Sequence, residues 1–329
     1  MAEFIVGNAL RRLARRNRAL RQVLWRLDFV LIWLLVKGFR ALPIDAASRC
    51  GERVGTWIGP RLKKKSAIFR DNLAAALPEL DAAAREELIV QAWGQAGRVL
   101  AEYTHLDTIL REEQRLEIVI HEAIETYTNP AEPFVGVSAH LGNWEVACLA
   151  LARMGIPNAT LYSPPTNPLL DSMLLDSRGA LNCQLLPRDN SARGLLRALH
   201  EGRTVAMIID RRVDEGRPVP FFGRDKLSTL MPAKLALKHR CHLVPARVER
   251  LGDAHFRVTL HAPVRPSDSS ADENTQAADM TRQVHALFED WIRQQPQDWF
   301  CSKRLWSKST INPTAEVNGN DAAVDSYAA

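Results

Sequence analysis

The sequence predicts an α/β fold: a mixed central sheet flanked by helices, with an N-terminal membrane-anchor helix and a helical first third. Three observations predict it. From Phe134 onward short apolar runs alternate with helical patterns, residues 44 to 110 carry helical patterns alone, and the first 43 residues join a run of arginines to an apolar stretch. Strands alternating with helices build a sheet covered on both faces, with ligands at the carboxyl ends of the strands.

The N-terminal segment, residues 1 to 43, holds Arg11, Arg12, Arg15, Arg16, Arg18, Arg21 and Arg26, more positive charge than the net +5 of the whole 329-residue chain. These arginines lead into the apolar run Phe29 to Val36, whose wider window, Leu24 to Leu42, is interrupted by Arg26, Asp28, Lys37 and Arg40. A crossing helix needs about 20 largely apolar residues. A helix lying among lipid headgroups, or a short strained span, is therefore expected rather than a full crossing. The basic flank favours a cytoplasmic N-terminus, and Lys37 to Pro43 makes a poor signal-peptide cleavage site, so the segment reads as an uncleaved anchor. The alternative is a buried amphipathic helix with a solvated arginine face. Arg61 with Lys63, Lys64 and Lys65 forms a second basic patch, which either adds attraction to anionic lipid or is a solvated face.

Helices are expected over Ala46 to Ile58, Ser66 to Leu77 closed by Pro78, and Asp81 to Tyr103 opened by an aspartate cap. Phe134 to Ala139 is a strand, Asn143 to Arg153 a helix ended by Gly155, and Asn158 to Tyr162 a strand. Leu169 to Gly179 is helical, Gln184 to Pro187 extended, Ser191 to His200 helical, and Thr204 to Ile209 a buried strand. A helix around Pro232 to His239, alternating strands over His242 to Arg250 and His255 to Val264, and a helix from Asp279 to Gln294 complete a domain of residues 44 to 308. The helical first third is expected to pack on the sheet. Residues 309 to 329, without apolar periodicity, are expected to be disordered.

Composition narrows the function. With 46% hydrophobic and 25% charged residues the chain is a folded protein, and a mean hydropathy of -0.19 excludes several membrane spans. Positive charge confined to one end, without interleaved aromatics, argues against nucleic acid. The five cysteines are odd in number and lie 35 or more residues apart, which indicates neither a disulfide framework nor a CxxC metal site, and places the catalytic part in a reducing compartment.

His140-Leu-Gly-Asn-Trp-Glu145 follows the first strand of the α/β part. Five helical residues turn through about 500°, so His140 and Glu145 share a face only if His140 lies in a loop and Glu145 in the first helical turn. Gly142 permits that turn and Asn143 is a competent cap. Glu145 would then accept the proton of one ring nitrogen and leave the other as a general base; the alternative is a surface histidine beside a helix-start glutamate. No GxSxG elbow or Cys-His signature supplies a nucleophile, which points to a substrate hydroxyl. No third ligand at recognisable spacing supports a metal site.

The strings VSAHLGNWEVACLAL, LYSPPTNPLLDSMLLDSRGALNCQLLPRDNSARGLLRALHEGRTVAMIIDRR, RPVPFFG and WIRQQPQDWFCSKRLW, with DNLAAALPEL upstream, resemble the bacterial lipid A biosynthesis (lauroyl/myristoyl) acyltransferases over Asn72 to Trp306. Glycerolipid and mannoside acyltransferases with an HxxxxD/E dyad are similar at greater distance. The resemblance implies an HxxxxE acyltransferase-like sheet, with His140 as general base, Glu145 as its orienting partner, and substrate-binding positions at Arg178, Asp210, Asn143 and Arg304. Arg178 would bind an anionic head group or the developing oxyanion, or is an exposed helix arginine; Asp210 would hold Arg178 or another cation, or is a core ion pair with Arg211 or Arg212. Arg211-Arg212-Val213 and Ser302-Lys303-Arg304 depart from the commoner family pattern and bear on donor or acceptor preference.

The expected reaction is transfer of an acyl chain from a thioester, on acyl carrier protein or coenzyme A, to a hydroxyl of a lipid A precursor at the cytoplasmic side of the inner membrane. No cofactor or metal is expected beyond the thioester co-substrate. Another lipid acceptor (lysophospholipid, aminolipid or glycolipid), or a thioesterase or lipase, are the alternatives.

Overall fold

The computed structural model describes residues 10–121, 132–188 and 191–307, so the tail expected to be disordered lies outside the described residues. The strands, in chain order, are β1 (Leu116–Ile120), β2 (Val135–Ser138), β3 (Asn158–Tyr162), β4 (Cys183–Pro187), β5 (Thr204–Ile208), β6 (Arg217–Phe221), β7 (Arg224–Ser228), β8 (Leu243–Gly252) and β9 (His255–Leu260). The α-helices are α1 (Arg11–Arg16), α2 (Arg18–Arg40), α3 (Ile44–Ile58), α4 (Lys63–Ala76), α5 (Ala82–Glu102), α6 (Leu106–Arg111), α7 (Val146–Arg153), α8 (Pro168–Ser177), α9 (Ser191–His200), α10 (Met231–His239) and α11 (Glu273–Gln294).

Seven strands join in the order β1-β9-β8-β2-β5-β3-β4, and β6 and β7 form a separate hairpin. From β8 to β4 the pairs are parallel; β9 is antiparallel to β8 and carries β1 parallel to itself. The mixed sheet expected from the sequence is thus mostly parallel. β2, Val-Gly-Val-Ser, is buried throughout, as suits a strand with neighbours on both edges and helices on both faces.

The two faces have separate cores. Val135, Val137, Val205 and Met207 pack towards α9, α10 and α11. Phe134, Val244, Val248 and Phe256 pack towards α6 and α7. The switch from Phe134 to Val135 is the two-residue alternation of a pleated strand.

The helical first third is a layer on this sheet. A Cβ added at Gly97 of α5 would fall 2.0 Å from the Gly51 carbonyl oxygen of α3, and one at Gly51 would fall 2.3 Å from that of Gly97. Only glycine lets these two backbones touch. Glu102, at the end of α5, is fully buried and accepts from Arg250 of β8 at 2.5 and 2.9 Å and from Ser48 at 2.6 Å, which ties the helices to the sheet.

The N-terminal helix agrees with the expectation that no full crossing forms. α2 buries Leu24, Asp28 and Phe39 and exposes Val23, Leu27, Val30, Leu31 and Leu34, a stripe at helical spacing. Among the described residues no helix is long and apolar enough to cross a membrane. The charges at Arg26, Asp28, Lys37 and Arg40 are the reason, and Asn167 donates to the Trp25 carbonyl at 2.9 Å, fixing the helix to the body. A membrane-crossing anchor is thus not what α2 forms.

Three elements differ. β1 and the β6–β7 hairpin have no counterpart in the sequence reading. α11 starts six residues before Asp279, because Asp272 caps it by accepting from Asn274 and Thr275 N–H at 2.9 and 3.2 Å.

Candidate active site

Strand register builds the site. Ser138 of β2 pairs with Ile208 of β5, so two residues further on, past both carboxyl ends, His140 stands opposite Asp210. The ring Nδ1 of His140 lies 2.5 Å from Asp210 Oδ1, and its main-chain N–H donates to Asp210 Oδ2 at 3.2 Å. β5 enters the sheet between β2 and β3 although it follows both in the chain, the kind of order switch beside which open α/β sheets bind ligands.

Asp210 is held from two further directions. Trp299 Nε1 donates to its Oδ2 at 3.1 Å. The Lys226 ammonium, wholly buried on β7, donates to its main-chain carbonyl at 2.7 Å and lies 4.5 Å from the Phe221 ring centroid. Burial works to raise the Asp210 carboxyl, but His140, Lys226 and Arg211 outweigh it and hold it well below the usual carboxylate range. Asp210 is therefore an anion at neutral pH.

The C-terminal segment locks the loop that carries His140. Phe300 N–H donates to the His140 carbonyl at 2.9 Å and Gly142 N–H to the Asp298 carbonyl at 3.1 Å. Trp144 stacks on Phe300 and meets the His140 ring edge-on. Asn72 of α4 in turn binds the Cys301 and Lys303 carbonyls, both at 2.7 Å. Gly142 takes a φ of +53°, as the turn requires.

Glu145 stands immediately before α7 and has another partner. Its Oε1 accepts from Arg178 Nη2 at 2.6 Å, and both side chains are nearly buried. Burial, opposed by Glu145 and Tyr103, leaves the Arg178 guanidinium above its ordinary range, while burial and Glu145 raise Tyr103 and keep it a neutral phenol. His140, Glu145 and Arg178 line one cavity of about 500 Å³. One part of its wall is apolar or small, with Gly136, Ala206 and Ala246 on the sheet and Ala147, Cys148 and Leu151 on α7, and another part carries Arg188, Arg211 and Arg212.

The expected site residues thus divide. His140, Glu145 and Arg178 come together around the cavity, and Asp210 stands behind His140. The pairing differs from the sequence reading: the ring partner of His140 is Asp210, across the strands, and Glu145 holds Arg178. Asp210 forms no pair with Arg178, and Arg178 is no exposed arginine. Asn143 is not the helix cap; its amide donates to Glu102 at 3.0 Å and its carbonyl oxygen accepts from Glu145 N–H at 3.3 Å. Arg304 pairs with Asp71 at 3.5 Å, outside the cavity wall. Lys226 and Trp299 escaped sequence reasoning: a lysine in Gly-Arg-Asp-Lys looks like a solvated turn, and only strand pairing reveals what it touches.

The family model of the bacterial lipid A biosynthesis acyltransferases matches residues 15–308. A lipid A biosynthesis acyltransferase of Haemophilus influenzae is 20% identical over 280 residues, 84% of this chain and 85% of that protein. The lipid A biosynthesis palmitoleoyltransferase of Escherichia coli K12 is 28% identical over 209 residues, 60% of this chain and 64% of that protein. A phosphatidylinositol mannoside acyltransferase of Mycobacterium tuberculosis is 26% identical over 239 residues, 70% of this chain and 76% of that protein.

Proposed function

The chain belongs to the bacterial lipid A biosynthesis acyltransferase family and is an acyltransferase, and from that premise we propose that it moves a fatty acyl chain from an acyl thioester to a hydroxyl of a lipid A precursor. The observation that carries this reading is the His140–Asp210 pair at the edge of a cavity whose wall between α7 and the sheet is apolar. With Nδ1 engaged by an anion, Nε2 is the nitrogen left to take a proton from the acceptor hydroxyl as its oxygen attacks the thioester carbonyl. Arg178, set by Glu145, aims a fixed positive charge at the oxyanion. Collapse of the intermediate forms the ester and expels the thiolate, which takes the proton back from His140. No cofactor beyond the thioester takes part, since a thioester is already activated and positioning supplies the rest. Acyl carrier protein or coenzyme A serves as donor.

The wall between α7 and the sheet suits the acyl chain. The exposed stripe on α2, flanked by Arg15, Arg16, Arg18 and Arg26, suits a helix lying in the headgroup layer at the cytoplasmic face of the inner membrane. The mycobacterial relative acts, by its name, on a phosphatidylinositol mannoside, so another membrane glycolipid is the second reading for the acceptor.

The test is a transfer assay with purified protein, acyl carrier protein thioester and a tetra-acylated lipid A precursor, read by mass spectrometry. Acylated precursor is expected. Free fatty acid released equally fast without the acceptor would make the protein a hydrolase, and product formed only on another glycolipid would move the acceptor.

A further inference from the structure

Beside the His140–Asp210 pair, two segments distant in the chain bring arginines to one wall: Arg188 just past β4 and Arg211 just past β5. Arg188 and Arg211 line the same cavity as His140. Burial, then Arg188, pull the Arg211 guanidinium down despite Asp210 nearby. The neighbouring Arg212 has its own carboxylate, Asp214, at 2.9 Å. Arg188 and Arg211 have no ion pair among the described residues, and the Asp210 oxygens are already taken by His140 and Trp299. Like charges brought to one wall repel one another, which costs stability unless an anion joins them.

We propose that Arg188 and Arg211 form a binding site for a phosphate ester carried by one of the two substrates, next to the hydroxyl that His140 activates. A carboxylate would leave one of the two charges uncompensated. A phosphate monoester brings a charge near -2 and three acceptor oxygens, and the guanidinium fork of Arg211 and Arg188 matches it. The two sources are the acceptor lipid and the phosphate-bearing arm of the thioester carrier. That choice rests on the acyl-transfer reading; phosphate binding itself does not.

Full-length protein is titrated with inorganic phosphate at constant ionic strength, as the wild type and as Arg211→Gln and Arg188→Gln. Wild type is expected to bind, and each variant to bind about tenfold more weakly. Arg188 is exposed, so its variant guards against misfolding. Transfer kinetics then locate the source. KM for a phosphorylated acceptor rising about tenfold, with under a twofold rise for the dephosphorylated lipid, assigns the site to the acceptor. The same contrast between acyl carrier protein and an acyl-pantetheine lacking the phosphate assigns it to the donor. Phosphate binding equal in wild type and variants, or KM rising alike for phosphate-bearing and phosphate-free substrates in both arms, overturns the proposal. A wild type that binds phosphate yet transfers no acyl chain sinks the acyl-transfer reading alone.

Discussion

At the carboxyl ends of β2 and β5 the chain hides His140, Asp210, Glu145 and Lys226, none more than 7% exposed, while α2 turns Val23, Leu27, Val30, Leu31 and Leu34 outward. Both arrangements run against what folding alone favours. Burying charge costs several kcal/mol per ion unless partners are in place, and a contiguous exposed apolar face invites association. In the first region every buried charge has found a partner: Asp210 has His140, Trp299 and Lys226, and Glu145 has Arg178. In the second the apolar stripe has none among the described residues. The contrast separates what is finished by folding from what awaits something outside.

The largest break in the comparison comes from the first region. Replacing His140 with Ala is expected to cut transfer by about 10³-fold with an unchanged far-ultraviolet circular dichroism spectrum, since the ring makes its hydrogen bond to a side chain and not to a strand. Asp210→Asn removes the anion that orients the ring, and a loss of about 10²-fold or more is expected. If Asp210→Asn is harmless and Glu145→Gln is not, the ring partner in solution is Glu145.

Next in size is the second buried pair. Glu145→Gln leaves the Arg178 guanidinium with a neutral neighbour in a nearly buried place, and a stability loss of about 3 kcal/mol is expected by urea unfolding. Restoring neutrality with Arg178→Met on that background should recover most of it while transfer stays low. Recovery of both would mean that the pair only holds the fold.

Lys226 sharpens the contrast through pH. Burial pulls its ammonium from 10.5 down to about 7, against the upward influence of Asp210. Between those values the unfolded chain holds a proton that the folded chain has shed, so this group makes stability rise from pH 7 towards 10.5 and fall again on return to neutral. In Lys226→Met the stability gained between pH 7 and pH 10 should shrink by about 3 kcal/mol, read from urea midpoints at the two pH values. An unchanged gain would place the proton elsewhere.

The smallest effect belongs to the outer helix. Leu31→Ser is expected to weaken partition onto vesicles containing anionic lipid about tenfold, with little change in transfer to acceptor dispersed in detergent. Unaltered vesicle binding would mean that α2 meets a protein and not a lipid surface.

These two regions were legible in the sequence to different degrees. β3 and α9 fall where periodicity and their flanking turns place them, because local pattern and burial agree there. The arginine run and the apolar stripe were also visible, but a linear pattern does not tell which face of α2 the body covers. β6 is hidden by its two prolines and its exposed start at Arg217; it forms because Val219 and Phe221 turn inward against the body. β1 is an edge strand with Leu116 its one fully buried residue. At the site, His140 and Glu145 were found as neighbours in sequence. Asp210 was singled out with the wrong partner, since its true one depends on β5 lying beside β2, a register that no local spacing encodes.

That register has a consequence for how the protein comes into being. His140 and Asp210 are 70 residues apart, and Asn72 reaches a carbonyl 229 residues further on. Contacts of such separation form late, after most loop-closure entropy has been spent. A ribosome must release nearly the whole chain before Trp299 can dock on Asp210. The nascent chain therefore carries the histidine long before it carries a base, and the site switches on only once the last motif has emerged.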